Sequence, residues 1–215
     1  MPGPGMQQIL EKVSQPYFRP YMTLISKPQV TGIILAGGKS SRFGSDKALF
    51  EYQGKKLVEY SIEALKPLCN ELLISTNQPE KYDFTRFKTV TDMYSNSGPV
   101  GGIHACLKAS SNEHNLVIGC DMPFLKHGLF LHLLKKAAKH QVVIPMHNGF
   151  SEPLAAFYSK SCYEVLEESL KKNKHKILDA IQGLQVLYLE ISQEYFYDET
   201  LFFNVNFRSD LDNKK

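Results

Sequence analysis

Short apolar runs alternate with segments of helical periodicity along most of this chain, and that alternation narrows the choice of fold more than any other feature. Val30 to Leu35, Glu71 to Thr76, Lys88 to Asp92 and Asn115 to Asp121 read as strands. Between them, Lys56 to Leu68 places Leu57, Tyr60, Ala64 and Leu68 on one helical face, stopping near Pro67. The segment "GPVGGIHACLKAS" opens as a turn and continues as a helix. Leu129 to Ala138 reads as a further helix, followed by strands in "QVVIP" and "EPLAAFY". Helices near Tyr163–Leu170 and Ile177–Ile181 come next, and "QVLYLE" and "FFNVNF" read as closing strands. Strands and helices in this order build βαβ units, which predicts a three-layer α/β/α fold around a mostly parallel, Rossmann-like central sheet. Such sheets bind ligands beyond the carboxyl ends of their strands, so the loops after Leu35, Thr76, Val90 and Cys120 should converge on one site.

The first of these loops raises a chemical question. "LAGGKSSRFGSDK" has the glycines and cations of a phosphate-binding loop. It fits neither common nucleotide pattern. Five positions after Gly37 stands Arg42, so G-x-x-x-x-G-K-[ST] fails, and adjacent Gly37 and Gly38 break G-x-G-x-x-G. The glycine pair still permits close approach of the backbone and positive φ, and Lys39, Arg42 and Lys47 place three cations within nine residues. Cations there would stabilise charge that develops on transferring phosphates. The bland alternative is a solvated turn between strand and helix.

Two acids end strands. Asp121, in "GCDMPF", is placed to hold a hard cation such as Mg²⁺ against phosphate oxygens, or simply to cap the next helix. Asp92, in "VTDMYSNSGPVGGI", holds the equivalent place on an earlier strand, with a cap or Asx-turn as its alternative.

Together these segments resemble the molybdenum cofactor guanylyltransferases, which are nucleotidyltransferases of the nucleotide-diphospho-sugar transferase type. "LAGGKSSRFGSDK", "GPVGGI", "GCDMPF", "EPLAAFY" and "FFNVNFRSDL" match that family's motifs in order over Thr31 to Leu211. The resemblance implies transfer of GMP from GTP to molybdenum-molybdopterin, giving the guanine dinucleotide and pyrophosphate, with Mg²⁺ as cofactor. It implies backbone contacts to the nucleotide from Leu35, Ala36 and Gly37, and phosphate contacts from Arg42 and Lys47. It assigns Asn77 to the nucleoside, Asp92 to the guanine or ribose and Asp121 to the metal. Arg42, Lys47 and Asp121 are thus the expected catalytic residues, and Asn204 and Asn206 the expected contacts on the pterin side or in the metal shell. Phe43 stands where the family usually has methionine, and "NFRSD" replaces N-T-P-E-D, bringing in Arg208. Cytidylyltransferases acting on the same pterin carry alanine at the place of Gly37, and the missing methyl leaves room for a purine. A related enzyme using CTP or a sugar phosphate, and a non-catalytic nucleotide-binding module, are the alternatives.

Composition bounds the rest. A chain of 215 residues, 43% hydrophobic and 22% charged, fits one globular domain over 31–215 after an N-terminal arm or appended extension at 1–30. A net charge of +3 with scattered basic residues argues against nucleic acid, and Lys171 to Lys176 reads as a solvated surface. Cys69, Cys106, Cys120 and Cys162 form no C-x-x-C and read as reduced core thiols, which suits a cytoplasmic protein. No apolar run reaches membrane-spanning length, and the first thirty residues lack the apolar centre of a signal peptide. The seven histidines show no zinc-ligand spacing. The expected state is a monomer making transient contact with molybdenum-insertion and acceptor proteins.

Overall fold

The computed structural model describes residues 29–37 and 46–210. Residues 1–28 of the N-terminal arm, and Arg42, therefore lie outside the described residues. The main sheet has eight strands. Its members are β1 (Val30–Leu35), β4 (Glu71–Ser75), β5 (Lys88–Val90), β6 (His114–Gly119), β7 (Val142–His147), β8 (Phe150–Ser151), β9 (Ala155–Ser159) and β10 (Val186–Glu190). The order across the sheet is β10-β7-β9-β6-β1-β4-β5, with β8 paired to β7. All pairings are parallel except those of β9 with β6 and β7, and of β8 with β7. A separate hairpin joins β2 (Glu51–Tyr52) to β3 (Lys55–Lys56) across Gln53 and Gly54, both at positive φ.

Side-chain alternation sorts the strands between two apolar layers. Ile34, Ile74, Leu116, Ile118 and Phe157 face one cluster, packed by Val58, Ala64 and Leu65 of α1 (Leu57–Leu65) and by Leu129, Phe130 and Leu133 of α3 (His127–Lys136). Ile33, Leu73, Val117, Ala156 and Tyr158 face the other. That side is covered by α2 (Gly98–Ala109), α4 (Tyr163–Lys171) and α5 (Ile177–Ala180). Strands apolar on both faces need helices on both sides, hence three layers. Truncating a fully buried residue such as Ile33 or Ile118 would cost about 2–5 kcal/mol.

One expected strand is absent. "FFNVNF" takes no strand pairing. Phe202 and Val205 are buried, which explains the apolar pattern, yet they are three apart rather than alternating. The segment is fastened to the sheet by Val205 N–H donating to the Asp121 carbonyl at 2.8 Å. The strand expected from Glu152 is also shorter, because Pro153 and Leu154 form a turn before β9. The four cysteines are free and buried, and Lys171 to Lys176 is exposed.

His104 is wholly buried on α2, stacked on Tyr163 at 4.6 Å and edge-on to Tyr94 at 5.5 Å. Neither ring nitrogen has a hydrogen-bond partner, and Glu167 Oε1 lies 4.0 Å from Nε2. Burial lowers its pKa; Glu167 opposes this, while Lys108 and Lys171 add to it. The fold therefore favours the neutral ring, whereas the unfolded chain takes up a proton near pH 6.5. The stability this provides is complete above about pH 6.5 and is lost as pH falls through the folded-state pKa. Thermal melts from about pH 7.5 to 5.5 should show a drop in Tm that His104→Phe flattens; equal slopes would exclude this origin.

Candidate functional site

The strand order reverses beside β1, because β4 and β5 lie to one side of it and β6 to the other. This is the crevice that open parallel sheets use for ligands. Main-chain bonds extend the pairing past the strand ends: Ala36 N–H to Ser75 O at 3.0 Å, Thr76 N–H to Val90 O at 2.9 Å and Cys120 N–H to Leu35 O at 3.2 Å. The loops that follow open onto a cavity of about 850 Å³. Leu35, Ala36, Gly37, Lys47, Asn77, Asp92 and Asp121 all line it, as does Asn206. Asn204 does not; it is exposed and its amide donates to Phe202 O at 3.2 Å.

Lys47 Nζ donates to Asp121 Oδ2 at 3.1 Å, a partly buried pair across 74 positions of sequence. Lys47 opens a short 3₁₀ turn, Lys47–Leu49, capped by Asp46, whose Oδ1 accepts from Ala48 N–H at 3.2 Å. Asp121 caps no helix, because α3 begins at His127 with Lys126 in the cap position. Gly119 makes room for it: a Cβ there would come within 2.9 Å of Asp121 Oδ1.

Across the cavity, Asn77 Nδ2 donates to Asp92 Oδ2 at 3.3 Å, and Asp92 N–H donates to Asn77 Oδ1 at 3.2 Å. Burial raises the Asp92 pKa, with the Asn77 hydrogen bond opposing it. Asp92 does not cap α2 either; Ser97 is in that position. The first turn of α2 borders the cavity through Gly98, Pro99 and Gly102 and contains no acid, so its N-terminal dipole is open to an anion. Gly102 sets that approach, because a Cβ on it would lie 2.5 Å from Ser75 Oγ.

The positive φ that the glycine pair permits is not used at Gly37, which is not among the positive-φ glycines. A Cβ on it would meet Ser75 O at 3.8 Å and Thr76 Cα at 4.0 Å, which are ordinary contacts. Neither backbone conformation nor packing against the described residues excludes alanine there. Gly37 is part of the cavity lining.

The arrangement suits charge stabilisation rather than covalent catalysis. Burial pushes the Cys120 thiol far above its ordinary pKa, which makes it a poor nucleophile although it lines the cavity. Among the described residues no three His, Cys, Asp or Glu side chains converge as metal ligands. Mg²⁺ held through one carboxylate, shared phosphate oxygens and water fits Asp121.

The sequence reading missed Asp46, Asn96, Ser97 and Gly102 as cavity residues. Asp46 could have been found from the "SDK" that places it beside Lys47, and Gly102 from "GPVGGI".

Comparison with known proteins gives a consistent answer. The family model described as a MobA-like NTP transferase domain matches residues 32–186. A Natranaerobius thermophilus protein named probable molybdenum cofactor guanylyltransferase is 36% identical over 191 residues, covering 85% of this chain and 93% of that protein. A Desulfosudis oleivorans protein named molybdenum cofactor guanylyltransferase is 33% identical over 187 residues, covering 85% and 93%. The crystal structure of molybdopterin-guanine dinucleotide biosynthesis protein A from Archaeoglobus fulgidus superposes with a TM-score of 0.73 at 29% identity, covering 85% of this chain and 95% of that one.

Proposed function

This chain belongs to the MobA-like NTP transferase family, and we propose that it transfers GMP from GTP to molybdenum-molybdopterin, releasing pyrophosphate. The observation that carries this reading is the Lys47–Asp121 pair in the crevice beside β1, facing the Asn77–Asp92 pair in one cavity. A terminal phosphate oxygen of the acceptor attacks the α-phosphorus of GTP, a new phosphoanhydride forms, and the bond to pyrophosphate breaks. No side chain needs to become covalently attached. Positioning and charge stabilisation supply the acceleration.

In this reading Leu35, Ala36 and Gly37 offer their main chain to the nucleotide, and Asn77 and Asp92 take the nucleoside end. Lys47 stands at the transferring phosphate, and Arg42, outside the described residues, joins it by virtue of its motif. Asp121 would hold Mg²⁺, which supplies neutralisation of the triphosphate charge. Asn206 lines the cavity, and Val205 beside it is bonded to Asp121. In this reading the pterin end of the acceptor would lie next to the metal position.

Guanine selection is assigned to the space at Gly37. Calorimetry should give tighter binding of GTP than of CTP or ATP, because each buried polar group left unpaired by the wrong base costs about 1–3 kcal/mol. Gly37→Ala should preserve the fold, given its ordinary contacts, and weaken GTP about tenfold while leaving CTP little changed. Equal affinities for GTP and CTP in the parent protein would remove guanine from the reaction. Equal losses for both nucleotides in the variant would remove Gly37 from the selection.

A further inference from the structure

Tyr82 is wholly buried, and its hydroxyl bonds to two residues that line the cavity, Ala36 and Asp46. It is carried by the 3₁₀ segment Pro79–Thr85, which follows β4 and Asn77. The hydroxyl is 3.1 Å from the Ala36 carbonyl and 3.0 Å from Asp46 Oδ2. Ala36 follows β1, and Asp46 begins the turn that carries Lys47. Ala36 and Asp46 are also the residues between which the glycine- and cation-bearing segment of the sequence runs. A phenol offers one proton and accepts through its lone pairs. Here the proton is shared by two acceptors, the Ala36 carbonyl and Asp46 Oδ2, at the two ends of that segment.

We propose that Tyr82 is a positioning residue for nucleotidyl transfer, acting through Asp46 to fix the turn from which Lys47 reaches Asp121. The line of contact is continuous. Tyr82 holds Asp46 Oδ2, Asp46 Oδ1 holds Ala48 N–H, and the intervening Lys47 meets Asp121 Oδ2 at 3.1 Å. Both carboxylate oxygens of Asp46 are thus engaged, which fixes the plane of the carboxylate as well as its position. Ala48 is buried behind the turn, so the turn is held by packing as well as by this anchor. Tyr82 does not line the cavity and touches no substrate atom there. Its effect is transmitted through geometry, and small displacements of a charged group at a reacting phosphate cost more in rate than in binding. The ring alone suffices for the core, since Tyr82 belongs to the apolar cluster beneath α1. The hydroxyl is what the core does not need and what the site uses.

The proposal rests on the transfer reaction above, so its test has one arm that requires no turnover. Tyr82→Phe keeps the ring and removes the oxygen. Exchange of the Ala48 amide proton, followed by NMR, should accelerate at least about tenfold in the variant, because its acceptor is no longer oriented. The Ile33 amide in β1 should exchange as before. In steady-state kinetics kcat should fall about 10- to 100-fold, with KM for GTP moving much less. Asp46→Ala should lower kcat similarly, and the double variant should be no worse than the poorer single one. Tyr60→Phe, which deletes the hydroxyl bonded to Tyr52 O at 2.8 Å, should leave kcat unchanged. Unchanged Ala48 exchange, or additive losses in the double variant, would overturn the proposal. So would a rise in KM alone. A parent protein that releases no pyrophosphate would sink the transfer reading, while the exchange result would still decide whether Tyr82 anchors the Lys47 turn.

Discussion

Asp121→Ala should reduce pyrophosphate release by about 1,000-fold or more while the protein stays folded. The rate follows from where the carboxylate stands. It lies just past β6, at the crevice beside β1, against the Lys47 ammonium. Removing one preorganised charged group from a transferring phosphate costs about 100- to 1,000-fold. Asp121 is expected to lose more, because its substitution would also remove the ligand proposed for Mg²⁺. Fold retention follows from what the variant keeps. The Asp121 carbonyl still accepts from Val205 N–H, so "FFNVNF" stays fastened. The side chain belongs to none of the apolar clusters. Its ion pair with Lys47 is part-exposed at 18% and 27%, and such pairs contribute little to stability. Circular dichroism and Tm should therefore match the parent closely. Asp121→Asn separates two contributions: the amide can still accept from Lys47 but is a poor Mg²⁺ ligand. If Asn restores most of the activity, Asp121 orients Lys47 and holds no metal. Full activity in the alanine variant would exclude both roles.

The parts of this site that could be read in sequence are those whose signal is local. β1 was legible because a β-branched apolar run ends abruptly at "AGG". Asp121 was legible because an unbroken apolar strand ends on an acid. Tyr82 was not, although it touches Ala36 and Asp46, because those contacts span 46 and 36 positions and a lone tyrosine before "DFTRF" has no pattern. The hairpin at Glu51–Lys56 escaped notice for another reason: its strands are two residues each, too short to show alternation, and only Gly54 marks its turn. "FFNVNF" misled in the opposite direction. Its aromatic and β-branched content satisfies β propensity, but propensity measures fit to a half-buried surface rather than pairing. Here the half-buried surface is the flank of the cavity, and a single main-chain bond to Asp121 replaces a ladder. At Gly37 the sequence offered both conformational freedom and room for a purine; its φ is not positive, and a Cβ on it would meet the described residues only at ordinary contact distance.

Lys47→Ala should lower kcat about 100- to 1,000-fold and change KM for GTP far less. The distinction depends on when the ammonium is needed. In the proposed ground state the triphosphate would have other partners, including main-chain N–H groups and the first turn of α2, whose dipole carries no competing acid. In the transition state, charge grows on the oxygens around the α-phosphorus and on the departing pyrophosphate. An ammonium fixed by Asp121 and by the capped turn at Asp46 is already oriented for that change, so it contributes more to the transition state than to binding. Three results are separable in a steady-state series over GTP. A fall in kcat with KM nearly constant places Lys47 in the chemistry. A rise in KM with kcat constant makes it a binding residue whose interaction is equally strong in both states. No change in either would make it a surface lysine after a turn, and would leave Asp121 without its cationic partner as the explanation for the site's electrostatics. Lys47→Arg sharpens the reading, because it keeps the charge but spreads it over a planar fork that cannot occupy the same point. Partial recovery of kcat by arginine would show that charge is the larger part of the contribution; recovery no better than alanine would show that the point geometry held by Asp46 and Asp121 matters as much as the charge.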